Sequence, residues 1–150
     1  MRWLWIFVVA AASCVAQTLP YPSKAEWTAT PGVIWQSQKK YPSNVNVVLY
    51  LNACRDSSGK VQKQLSSADN YSITATGTGI SPSIQLVGEC TLTSVLAIDS
   101  SAQPGNQFLI VSKQPDKTKP PSYEGAAVLA LMDSTAGPLL QLQRSTFFGT

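Results

Sequence analysis

Eight carboxylates, three cysteines, eleven basic side chains and no histidine set the chemistry this chain can carry. The missing histidine removes Ser–His and Cys–His nucleophile pairs, imidazole metal ligands and a protonation switch near neutral pH. The carboxylates are Glu26, Asp56, Asp69, Glu89, Asp99, Asp116, Glu124 and Asp133. A glycosidase needs two of them facing each other across a cleft, and nothing in their spacing selects a pair. Asp56, Asp69, Asp99 and Asp133 fall at turns or strand ends, where Asp is favoured because it bonds the neighbouring backbone. Glu89 stands apart, inside an apolar run beside Cys90, and reads as a residue of the solvent face. Calcium needs several oxygen ligands close together, and no such cluster occurs. Gly77-Thr78-Gly79 lacks the remainder of a phosphate-binding loop, and no Ser-x-x-Lys lies in a suitable context. No catalytic residue, metal or cofactor is therefore expected, and the chain reads as a binding or structural protein.

The cysteines carry covalent rather than catalytic chemistry. Residues 1–16, MRWLWIFVVAAASCVA, have Arg2 ahead of an apolar stretch and then small residues at Cys14 and Ala16. This is the pattern of a secretory signal peptide cleaved after Ala16. The apolar stretch is too short to span a bilayer as a helix. Lipidation of Cys14 is a second reading, but the leucine usual three residues before a lipoprotein cysteine is absent. Cleavage leaves Cys54 and Cys90. An exported chain with two cysteines is expected to pair them; two buried free thiols are the alternative. Alternation along residues 44–54 puts Cys54 on the outer face, so reaching Cys90 needs a bulge or twist near the strand end.

Four aromatics, Trp27, Trp35, Tyr41 and Tyr50, cluster early in the chain. Exposed in a row on a sheet, they would stack on sugar rings, as in a carbohydrate-binding module. In the competing reading Trp35 belongs to the core and the others cover sheet edges. Asn70-Tyr71-Ser72 is a glycosylation sequon, relevant in a eukaryotic source.

The elements that position these residues read as strands. In the central stretch, residues 84–112, Ile84, Leu86, Gly88, Cys90 and Leu92 fall on one face and Gln85, Glu89, Thr91 and Thr93 on the other, the period of two of a half-buried strand. Residues 44–54 alternate in the same way, with Val45, Val47, Leu49, Leu51 and Ala53 inward. Shorter strands are expected at 26–30, 33–38, 61–65, 71–78, 107–112 and 139–144. Residues 126–132, AAVLALM, permit a helix by composition, but their length and surroundings favour a strand. Turns are marked by Pro31-Gly32, RDSSGK at 55–60, Pro104-Gly105 and DSTAGP at 133–138. Residues 113–125, with Pro115, Pro120 and Pro121, form the longest polar gap. Phe147 and Phe148 are expected to pack back on the core. Strands at roughly ten-residue spacing with turns between them describe an all-β sandwich or barrel.

Composition agrees. The chain has the length of one domain, 150 residues, and 44% hydrophobic residues suffice for a core. Only 13% are charged, about half the usual share, so Ser, Thr, Asn and Gln must cover the surface. The net charge of +3 is scattered, whereas nucleic-acid binding needs a concentrated basic stripe; no nucleic-acid partner is expected. Segment 77–112 resembles bacterial immunoglobulin-like domains of the IPT/TIG kind, through Gly77, Gly79, Ala102, Pro104, Gly105, Phe108, Leu109 and Val111. The resemblance covers about a quarter of the chain. It implies a sandwich used for adhesion, spacing or interaction and no catalytic residue. The expected organisation is a signal peptide at 1–16, an extended leader at 17–25 and one immunoglobulin-like antiparallel β-sandwich at 26–150. The expected role is a secreted or periplasmic interaction module with a protein or cell-surface glycan as partner. The alternative is a carbohydrate-binding module.

Overall fold

A computed structural model describes residues 26–37 and 39–133. The signal peptide and leader with Cys14, the strand expected at 139–144 and Phe147-Phe148 lie outside the described residues. Among the described residues eight strands form: β1 Trp27–Thr30, β2 Val33–Trp35, β3 Asn44–Leu51, β4 Tyr71–Ala75, β5 Ile80–Val87, β6 Thr91–Ile98, β7 Gly105–Lys113 and β8 Ser122–Met132. They make two four-stranded sheets, β1-β3-β6-β5 and β2-β8-β7-β4. Every pairing is antiparallel except β2 with β8. The all-β sandwich expected from the alternation is the fold. The chain passes from the first sheet to the second at Pro31-Gly32, so β1 and β2 form edges of different sheets.

Alternation decides what lies between the sheets. Val47, Leu49 and Leu51 of β3 face Leu92 and Leu96 of β6 and, from the other sheet, Leu109 and Val111 of β7 and Ala127, Leu129 and Leu131 of β8; all are 3% exposed or less. Trp27 is 1% exposed, and its indole N–H donates to the Glu124 carbonyl at 3.1 Å, which satisfies the one polar atom the ring brings inside. Ser94 is the one buried polar residue among the described residues; its hydroxyl donates to the Ser83 carbonyl at 3.0 Å. A buried hydroxyl with a partner is tolerated where an orphan would not be.

The stretch 126–132 is strand, the second half of β8, and β8 begins at Ser122, so the polar gap is shorter than composition suggested. Gly125 within β8 has φ of +128°, and a Cβ there would stand 2.9 Å from the Trp27 ring and against Glu26. The glycine therefore lets β8 close over Trp27.

Three expectations are corrected. Residues 61–65 are not a strand: Val61 makes one isolated bridge to Arg55, and Leu65 is drawn inward to 5% exposure. The alternation through Ile84, Leu86 and Gly88 breaks at a bulge. Ile84 pairs with Ser94 but Leu86 pairs with Thr93, so β5 holds one extra residue. Because side chains alternate, that extra residue flips the face, and Leu86 is 64% exposed. Pro82 sits in β5 as well, tolerated because β5 is an edge strand. Third, Cys90 and Glu89 belong to the turn between β5 and β6 rather than to a strand.

Candidate functional site

Cys54 and Cys90 form a disulfide with Cα atoms 5.6 Å apart. The obstacle posed by strict alternation is removed because β3 ends at Leu51. A turn closed by the Cys54 N–H to the Leu51 carbonyl, 3.0 Å, then swings Cys54 inward to 0% exposure. The bridge does not tie one sheet to the other, since β3 and β6 are neighbours in the same sheet. It fastens the long connection 52–70 to the β5–β6 turn. An Arg55–Glu89 ion pair and the Leu65 N–H to the Glu89 carbonyl, 2.8 Å, fasten the same two segments. Glu89 is thus a surface clamp.

Five of the other carboxylates also serve local structure. Asp56 accepts from Ser58 N and Lys60 N, Asp99 from Ser101 N and Asp116 from Thr118 N. Hydrogen bonds from the hydroxyls of Ser58, Ser101 and Thr118, with those backbone donors, hold the three carboxyls below their ordinary value. Asp69 accepts from the Tyr71 hydroxyl at 3.1 Å; burial and this bond push Tyr71 up to about 12. Glu124 lies between Lys63 at 3.0 Å and Lys113 at 2.9 Å. Burial alone would raise its carboxyl, but the two ammonium groups outweigh it and hold the value low. Among the described residues no group of three or more His, Cys, Asp or Glu is placed to hold a metal ion. None of their helices is long and apolar enough to cross a membrane.

The four aromatics do not form a row. Trp27 is core, and Tyr41 is 7% exposed. Trp35 and Tyr50 are exposed at 44% and 37%, but Trp35 belongs to β2 of the second sheet and Tyr50 to β3 of the first. Their inward neighbours, Ile34 and Leu49, are buried. The two rings therefore point from opposite outer faces of the sandwich. The expected assignment is reversed for the tryptophans, Trp27 being internal and Trp35 external, because sheet membership rather than local pattern decides which side meets solvent.

Two features remain that residue types alone did not reveal. The first is the outer face of the second sheet. Cross-strand partners share a face, so the pairings Ile110–Ala126, Phe108–Val128, Ala130–Val33 and Met132–Trp35 lay adjacent apolar pairs along it. Val33, Trp35 and Val128 are each more than 40% exposed. On the outer face of the first sheet the rows read Thr28–Tyr50–Thr91, Thr30–Val48–Thr93–Leu86 and Asn46–Val95–Ser83, so that within each row the apolar residues, including Leu86 at 64% exposure, are separated by polar ones. The signal for the difference was present as the run AAVLALM, but its outward members could be told from its inward ones only once β7 and β2 were placed beside it.

The second feature is a cavity of about 470 Å³ between the β2–β3 connection and the end of β6, walled by Lys39, Lys40, Tyr41, Asn44, Asp99 and Ser100 among others. The Tyr41 hydroxyl is buried and has no hydrogen-bond partner, a state that costs about 1–3 kcal/mol. Burial, with the Asp133 carboxylate nearby, pushes its ionisation above the ordinary tyrosine value.

Comparison of the sequence with protein-family models and with curated proteins finds no match.

Proposed function

We propose that the chain is an exported, non-enzymatic interaction module of immunoglobulin-like type, which binds a protein partner through the outer face of its second sheet. The observation that carries this is the run of adjacent apolar pairs on that face. Exposed apolar side chains grouped on one sheet face are characteristic of protein interfaces; here Val33, Trp35 and Val128 supply the exposed area, while Ala126 is itself only 1% exposed. The pairs include no charged side chain, so they favour a partner whose own surface is apolar rather than a polyanion. Three further points support the reading. The strand order β1-β3-β6-β5 against β2-β8-β7-β4 corresponds to the ABED and A′GFC sheets of immunoglobulin-type sandwiches. The disulfide fits an oxidising compartment, as does the signal-peptide pattern at 1–16. The likeness of segment 77–112 to IPT/TIG domains points to the same class of function.

The test is site-specific photo-crosslinking of the full chain in its producing cells. A benzophenone side chain replaces Val128 or, on the opposite face, Thr93. The proposal expects a discrete protein adduct, identifiable by mass spectrometry, from Val128 and none from Thr93. Adducts of equal yield from both positions, or none from Val128, overturn it.

A further inference from the structure

We infer that the free edge of β4 pairs with the same edge of a second copy of this chain, giving a two-fold dimer in which the two second sheets join into one sheet of eight strands. This goes beyond the proposed interaction face, because β4 contributes none of the apolar pairs of that face.

A sheet edge is a row of backbone groups able to pair with another chain, and folded proteins blunt it with shortness, proline, bulges or charge. Among the described residues four strands are edges: β1 and β5 of the first sheet, β2 and β4 of the second. β1 and β2 have only four and three residues, and β5 carries Pro82 and the bulge. β4 has five residues, YSITA, and none of these devices: no proline, no bulge and no charge. The bond from the Thr76 N–H to the Phe108 carbonyl, 3.0 Å, fixes which way its backbone groups point. Successive residues of a strand direct their N–H and C=O to alternate sides, so Ser72 and Thr74 bond to β7 as Thr76 does. Tyr71, Ile73 and Ala75 turn theirs away from β7, where no strand of the described residues meets them.

The strand is complementary to itself. A two-fold axis through Ile73 sets the two copies antiparallel and places Tyr71 opposite Ala75, Ser72 opposite Thr74 and Ile73 opposite Ile73. Ser72 and Thr74 are exposed on the outer side, and Thr–Ser pairs across neighbouring strands are favourable. On the inner side the half-buried Tyr71 and Ala75 set a large side chain against a small one. Nowhere do like charges face each other. The three outward-facing residues of each copy give about six backbone hydrogen bonds across the junction. β5, which packs against β4 from the first sheet, also carries no charged residue, so the first-sheet edges meet without repulsion. Such a contact uses the same patch on both copies and closes at two. The axis relating antiparallel neighbours in one sheet stands perpendicular to it, so the dimer presents the outer faces of both second sheets in one direction.

The experiment is sedimentation equilibrium of the full mature chain over a range of concentrations, with three variants. Ser72→Lys with Thr74→Lys, and Ser72→Glu with Thr74→Glu, change exposed positions and put like charges opposite each other in the pairing. Val128→Asp changes the outer face of the second sheet instead. The expected result is a concentration-dependent dimer for the parent and for Val128→Asp, and a monomer for the lysine variant and for the glutamate variant alone. Mixing the lysine and glutamate variants should restore the dimer, because opposite charges then meet; misfolding of either variant would not be repaired in this way. The inference is overturned by any of four outcomes: the parent stays monomeric, the lysine variant dimerises as the parent does, the mixture stays monomeric, or Val128→Asp loses the dimer, which would put the contact on the apolar face. Capture of a protein partner from Val128 is a separate readout. Its failure leaves the dimer standing, and a monomeric parent leaves the partner adduct standing.

Discussion

Removing the disulfide by the double substitution Cys54→Ala, Cys90→Ala tests how the long connection 52–70 is held. The cysteines are separated by 36 residues. In the chain-entropy account, cross-linking a loop of that length removes conformational freedom from the unfolded chain worth about 4 kcal/mol at 25 °C. Both side chains are buried, at 0% and 5% exposure, and alanine is smaller than half-cystine, so a modest packing loss adds to the entropic effect. For a domain of this size each kcal/mol moves the thermal midpoint by roughly 3–6 °C, which gives a drop of roughly 12–24 °C. The assay is thermal and urea unfolding of the oxidised parent, the parent in reductant and the double variant. The reduced parent and the variant should unfold at similar midpoints, well below the oxidised parent. Their urea m-values should be larger, because an unlinked denatured chain is less compact and exposes more surface. The β5–β6 turn keeps its Arg55–Glu89 pair and its bond to Leu65 N, so the variant should still fold cooperatively. A double variant that melts within about 3 °C of the oxidised parent would refute the argument, since it would mean that the connection is already ordered in the unfolded chain or held mainly by those polar contacts.

Further substitutions probe the packing and the surface. Gly125→Ala places a methyl group against Trp27 and Glu26 at a φ of +128° and should destabilise by about 2 kcal/mol or more; a melt unchanged from the parent would show that β8 shifts freely. Leu129→Ala, at a position 0% exposed, should cost about 2–5 kcal/mol in urea unfolding. Val128→Asp, on the outer face at 41% exposure, should change stability by less than about 1 kcal/mol while eliminating the partner adduct captured from a benzophenone at Val33. The Glu124 carboxyl has a depressed value in the fold because of Lys113 and Lys63. Its contribution is therefore present above the value it has in the unfolded chain and is lost as pH falls through the folded one. Glu124→Gln should flatten the loss of stability below about pH 4.5, by an amount near 1 kcal/mol because Lys63 is half exposed; identical acid profiles for variant and parent would show that the ion pairs contribute nothing.

The fold class and most strand positions were already legible in the chain, because a sheet with one face buried imposes a period of two that composition cannot hide. Val47, Leu49 and Leu51 lie inward as their spacing requires, and the pairing of Cys54 with Cys90 was expected from the signal-peptide pattern at 1–16 and the two cysteines left after it. Three kinds of fact were not legible. A bulge in β5 turned Leu86 outward, and a single extra residue that reverses a face leaves no mark in local hydropathy. The direction taken by Cys54 depended on where β3 stopped, which was set by pairing with β1 and β6 rather than by its own residues. The exchange of roles between Trp27 and Trp35 arose because the chain changes sheets at Pro31-Gly32, so the two tryptophans stand in different sheets that face the one core from opposite sides.

The sequence by itself determined that there would be inward and outward faces and no histidine chemistry, and it supplied two cysteines able to pair. Only the tertiary structure decided which outward apolar residues lie side by side and which loops bury Tyr41. Those are relations between strands and loops far apart in the chain, and they are set by register and sheet order. An alternating pattern along one strand specifies that one side is buried, but not which strands will lie beside it on the other.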